Sequence, residues 1–128
     1  MASPSIILWQ SFVDAFAEIG DGVLNKWIAE RGEYPDLPEN RETNQLLASL
    51  TSEQRRVLAN MIIDAHHNGV FDTLVVLHER MAFNKGRYSE KDVEMAFEPH
   101  GYTLFQAYIA RRAGDPWRDG EDPMERRP

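Results

Sequence analysis

The chain has no cysteine among its 128 residues. That excludes a disulfide framework, a thiolate metal site and a cysteine nucleophile. Bases are scarce as well: 14 Lys and Arg stand against 21 Asp and Glu, a formal net charge of −7. A nucleic-acid binder must neutralise phosphates with clustered bases, and anionic lipid makes the same demand. The charge balance disfavours both. No apolar run approaches the ~20 residues of a membrane span. The first such run, Ile6 to Trp9, is short, and no base precedes Lys26, so a secretory signal is not expected. These absences lead to the expectation of a soluble, cytoplasmic protein.

Catalytic motifs are missing too. There is no Gly-x-Ser-x-Gly elbow, no Walker lysine loop and no Gly-x-Gly-x-x-Gly, since Gly20-Asp21-Gly22 lacks the third glycine. No His-Glu-x-x-His occurs, so paired helical zinc ligands are not encoded. No cofactor is implied.

What is present is helical periodicity. Length and a hydrophobic content of 42% suit one domain. Apolar residues recur in steps of three and four at Trp9, Phe12, Val13, Phe16, Val23 and Trp27. This predicts either two helices meeting near Gly20-Asp21-Gly22 or, the favoured reading, one helix over about residues 5–31, capped by Ser5, softened at those glycines and stopped by Gly32. Pro35 and Pro38 make residues 33–40 an extended connector. A short helix follows over residues 41–49, with Leu46, Leu47 and Leu50 inward. Thr51 and Gln54 form a capping box that opens a helix to His67, with Leu58, Met61, Ile62 and Ala65 inward and Val57 beside that face. Asn68-Gly69 predicts a stop, and residues 71–83 predict a second helix, giving an αα-hairpin. Ser89-Glu90-Lys91-Asp92 suggests a cap for a further helix to Phe97, and residues 102–113 a last one. No alternating strand is expected. The predicted fold is therefore all-α, a compact bundle of five to six helices with a central αα-hairpin at about residues 51–83. Residues 1–114 would form a single domain, and residues 115–128, rich in charge, Pro and Gly, a flexible tail in which Trp117 docks locally.

Charge is unevenly spread. Residues 1–40 hold seven acids against two bases, a net of −5, and residues 41–88 a net of +1. A focused acidic face steers a basic partner. On one helix, Asp14, Glu18 and Asp21 would share a solvated face. The expected binding residues are Asp14, Glu18, Glu33 and Asp36 as charge complements, with Trp27 or Tyr34 as apolar anchor. The function they imply is a non-catalytic interaction domain that neutralises or regulates a basic protein. Aromatics crowd the C-terminal third at Tyr88, Phe97, Tyr102, Phe105 and Tyr108, as they would at a homodimer interface.

The rival reading is an enzyme with its site at the hairpin. His66 and His67 end one predicted helix and His78 lies in the next, so Asp64, His67 and His78 could surround zinc or iron. Against it, His78 falls on the apolar face beside Leu74 and Met81, where a hydrogen-bonded core histidine is expected.

Overall fold

The computed structural model of the protein describes residues 3–117. Over these the chain is predominantly helical, with one small two-stranded sheet. No helix among the described residues is long and apolar enough to cross a membrane.

Helix α1 spans Pro4–Ala17. Its cap is Ser3 rather than Ser5: the Ser3 Oγ accepts from the Ile6 N–H, and Pro4 takes the first helical position, where its missing N–H costs nothing. The expected single helix over residues 5–31 is in fact two. Gly20 and Gly22 lie in the left-handed region, at φ 71° and 79°, where the helical ladder cannot continue. Helix α2, Leu24–Lys26, runs on into a π-helical turn, Trp27–Arg31, which Gly32 closes at φ 74°. A 3-10 turn at Pro38–Asn40 leads into α3, Arg41–Ser49.

Helix α4 is the main correction. It runs without a break from Ser52 to Ala82, 31 residues, so there is no αα-hairpin. The Thr51–Gln54 capping box is present, with both reciprocal bonds made, at 2.9 and 3.1 Å. Gly69, unlike the helix-ending glycines, is not left-handed. A glycine inside a helix costs roughly 1 kcal/mol. Buried His67 and Leu74 hold the helix on either side of it, and tertiary packing outweighs that propensity. The helix stops instead at Asn84, φ 58°, where the N–H groups of Asn84 and Lys85 bond to the carbonyls of Met81 and Arg80.

The predicted helix at residues 89–97 is a β-hairpin. Strands β1, Ser89–Glu90, and β2, Val93–Glu94, pair antiparallel, with Ser89 opposite Glu94 and Glu90 opposite Val93. Lys91 and Asp92 form the turn at φ 45° and 65°, both positive as a tight two-residue hairpin requires. Val93 and Met95 point inward at the period of a strand, and Met95 is buried. Helix α5, Leu104–Arg112, starts from a second capping box, Thr103–Gln106, and ends at left-handed Gly114.

The chain divides into two compact units. One comprises Met1–Gly20 and Val70–Pro128. Its core joins Leu8, Trp9 and Val13 of α1 to Met81, Met95, Leu104 and Ala107. Trp9 is 1% exposed, with the rings of His100, Tyr102 and Trp117 at 5.6 to 5.7 Å. Order thus extends past Gly114: Trp117, expected to dock locally, belongs to this core. The rest of the expected flexible tail, residues 118–128, lies outside the described residues. Tyr102, Phe105 and Tyr108 pack internally, around Trp9, His78 and Phe71, with Tyr108 1% exposed.

The other unit is Asp21–Gly69. Ile28, Leu47 and Ala59 form its core, with Tyr34, Leu50, Leu58 and Ile62 around them. The segment from Gly22 to Gly32 runs antiparallel to the first half of α4. A Cβ on Gly22 would lie 3.3 Å from the His66 ring, and one on Gly32 would lie 3.0 Å from Arg55 Nη1. Between these ends Ile28 meets the Ala59 face. The apolar stripe on α4 is wider than the face this packing covers. Leu46, Met61 and Ala65, expected inward, are exposed, as is Val57 beside them, because Ala59 and Leu47 take the inward positions.

The hairpin gives the first testable outcome. Non-glycine residues with left-handed backbone cost roughly 1–2 kcal/mol each. Lys91→Asn with Asp92→Gly should therefore raise the urea midpoint, by an equivalent of about 1 kcal/mol. A lowered midpoint would mean that the turn is not the one described.

Candidate functional site

The acidic residues proposed from sequence have three different fates. Asp14 is not a solvated charge. Its side chain is 28% exposed and is gripped by α5. Arg111 Nε donates to Oδ1 at 2.6 Å and Nη2 to Oδ2 at 3.4 Å. The Trp117 indole N–H donates to the same Oδ2 at 3.2 Å. The Arg111 guanidinium also lies over the Trp117 ring, 4.7 Å from its centre, and its Nη1 reaches the Asp115 carbonyl at 2.9 Å. One carboxylate thus ties α1 to α5 and to the residues after it. Charge-assisted bonds of this kind are the strong ones, and half-burial shields them from salt.

Glu18 follows α1 and is exposed. Asp21 does not continue a row with it, because the helix has ended. Asp21 sits between the two left-handed glycines and accepts from His67 Nε2 at 2.7 Å. His67 is buried and Asp21 largely exposed. The Asp21 bond therefore holds the turn of residues 20–22 against α4 within one unit.

Trp27 and Tyr34, the expected anchors, meet each other edge-on at 5.2 Å and are half-buried. They fasten the connector rather than project from it. Asn44 on α3 completes the fastening: its Oδ1 accepts from the Tyr34 N–H at 2.7 Å and its Nδ2 donates to the Tyr34 carbonyl at 3.1 Å. Asn40 Nδ2 donates to the Pro35 carbonyl at 2.9 Å. Glu33 and Asp36, on either side of this tied stretch, are exposed. Asp36 borders an open cleft of about 410 Å³ shared with Leu37, Arg41 and Asn44.

The histidines do not converge. His67 and His78 are eleven positions apart on one helix. His67 belongs to one unit, beside Asp21, and His78 to the other, beside Glu98. The expected hairpin would have folded them together, and the continuous helix does not. His78 has the core role expected for it. It is buried, stacked on Phe97 at 4.9 Å and edge-on to Phe105, with Nε2 3.4 Å from Glu98 Oε1. His66 meets His67 edge-on at 5.3 Å and packs against Gly22, while Asp64 is exposed. Among the described residues, no three His, Asp or Glu side chains group as metal ligands would.

A second surface was not foreseen. Between α3 and the start of α4 lies an open groove of about 410 Å³. Leu46, Leu50, Val57, Leu58 and Met61 line it, with Glu53 and Gln54 at its rim. Glu53 pairs with Arg56, Oε1 to Nη2 at 2.6 Å. That hydrogen bond, and then the guanidinium charge, hold the Glu53 carboxyl below the usual carboxylate range. The sequence signal was available in the excess of apolar positions on α4, but the whole stripe was assigned to the core.

Residues 2–119 match a family of unknown function, DUF6547. The chain belongs to that family. No curated protein and no solved structure matches it. The family's description carries no activity, so a function for this member has to be argued from its own residues.

Asp14 and Glu18 separate the two kinds of acid. Asp14→Ala strands a half-buried guanidinium and an indole N–H, which should cost about 1–3 kcal/mol. Glu18→Ala should stay within about 0.5 kcal/mol of the parent. Urea denaturation of both variants checks this, and equal midpoints would show that the Asp14 contacts carry no stability.

Proposed function

We propose that the protein is a non-catalytic interaction domain that binds a basic protein partner through the acids of its connector. The observation that carries this reading is the way Asn44 ties Tyr34. A loop bearing two exposed carboxylates is normally mobile, and ordering it on binding costs affinity. Here both backbone groups of Tyr34 are already bonded, Trp27 packs on its ring, and Asn40 holds Pro35. Glu33 and Asp36 are thereby presented at fixed positions before any partner arrives.

Charge supports the same direction. Residues 21–69 contain eight acids and five bases, a net of −3. A preorganised negative surface raises the association rate with a positive one and makes it salt-sensitive. Asp14 leaves the set of docking residues, since Arg111 and Trp117 already use it, and Glu18 remains exposed on the other unit. Trp27 and Tyr34 act as supports of the connector.

Charge reversal tests the reading. Affinity capture from an extract should recover a basic protein that is lost, with binding reduced about tenfold or more, in Glu33→Lys/Asp36→Lys. Those side chains are exposed, so circular dichroism of the variant should match the parent. A folded variant that retains every partner at unchanged salt sensitivity would mean that these acids serve solubility alone.

A further inference from the structure

The groove between α3 and α4 is on the same unit as the connector, and it is apolar where a docking surface needs to be. Leu46 is 54% exposed, Val57 46% and Met61 61%. Single exposed apolar residues are ordinary, but three in one concavity, floored by the half-buried Leu50 and Leu58, are not. It lies on the water side of the residues that already close the core: Leu47 is 1% exposed one position from Leu46, and Ala59 4% two positions from Val57. The groove is thus not a gap in the core. It is a second apolar face on the same two helices.

The polar residues of these rows identify what would fill it. Residues four apart on a helix lie on one face. Glu42 precedes Leu46 by four on α3, Glu53 precedes Val57 by four on α4, and Asp64 follows Met61 by three. All three acids are exposed. Arg56 is paired to Glu53, Arg55 is turned away toward Gly32, and Arg41 borders the cleft of Asp36. An exposed pair such as Glu53–Arg56 is worth little, so Glu53 is available to a competing base. Both walls are helices with no strand edge, which rules out an added strand as the mode of binding and leaves a helix laid into a groove.

We propose that this groove receives an amphipathic helix of the partner, with apolar residues at i, i+3 or i+4, and i+7 on one face and Lys or Arg on its flanks. The inference rests on the reading above that the partner is basic, and it supplies the apolar anchor that Trp27 and Tyr34 do not. The flanking bases meet Glu42, Glu53 and Asp64, while the leucine-type residues enter between Leu46 and Met61. Charge sets the encounter, and the buried apolar contacts set the lifetime of the complex.

A helical peptide of Leu and Lys, with leucines at i, i+3, i+4 and i+7, is the probe. Methyl-labelled methionine reports the place, because Met81 and Met95 are buried and Met61 is exposed. The expected result is saturable binding that shifts the Met61 methyl signal. Affinity should fall about tenfold in Leu46→Ser/Val57→Ser, two substitutions at exposed positions. A scrambled peptide of the same composition should bind more weakly and leave Met61 unmoved. If scrambled and ordered peptides bind alike, and only Glu33→Lys/Asp36→Lys weakens them, the groove proposal is overturned while the basic-partner reading stands. If a Leu–Glu peptide of the same spacing binds as well, the basic flanks are wrong and the charge reading falls with them. If no peptide moves Met61, the groove does not take such a helix. If the Met61 signal moves with protein concentration alone, alongside a doubled mass, a second copy of the chain fills the groove and the proposal is again overturned.

Discussion

The unbroken hydrogen-bond ladder of α4 is the constraint on which the rest depends. Through Gly69 the helix keeps its right-handed backbone, so residues 52–69 build one unit and residues 70–82 the other. Met81 enters the core around Trp9, and Ala59 enters the core around Ile28. The same continuity decides the chemistry. It keeps His67 and His78 eleven positions apart and gives each its own carboxylate, Asp21 for one and Glu98 for the other. Imidazoles that a hairpin would have brought together are instead two separate fastenings.

Carboxylates in this protein divide by what meets them. Asp14 and Asp21 are used internally, the first by Arg111 and Trp117, the second by His67. Glu33 and Asp36 are left outward by a connector whose backbone is already satisfied. A net charge of −7 therefore overstates how much negative surface is free to act. The exposed acids of the connector are held in place by Asn44, Asn40 and the Trp27–Tyr34 pair, none of which is itself acidic. The groove of Leu46, Val57 and Met61 adds apolar contact to that charge on the same unit.

Several local features were readable because their physics is local. The Thr51–Gln54 box, the stop at Gly32 and the break imposed by Pro35 and Pro38 depend on neighbours within a few residues. The hairpin at Ser89–Glu94 was missed for a related reason. Lys91 and Asp92 adopt positive φ without the Asn-Gly chemistry that usually announces it, and Ser89-Glu90 imitates a helix cap. Surrounding packing, with Met95 drawn into the core, chose the strand. Leu46 and Met61, expected inward, are exposed, because periodicity reports an apolar face and not whether anything covers it.

The sequence alone determined that this is a cysteine-free, acidic, mainly helical chain broken by a proline connector, since composition, caps and turn residues act over short range. Only the tertiary structure decided that a helix ends at Ala17, ahead of left-handed Gly20 and Gly22, while another runs through Gly69, because glycine adopts either backbone at little cost. It also decided that Asp14 is bound by a residue 97 positions away, a pairing that no spacing rule encodes. Which acids and which apolar residues remain outward is the consequence of those contacts. It is there, rather than in net charge or hydropathy, that the outward surface is specified.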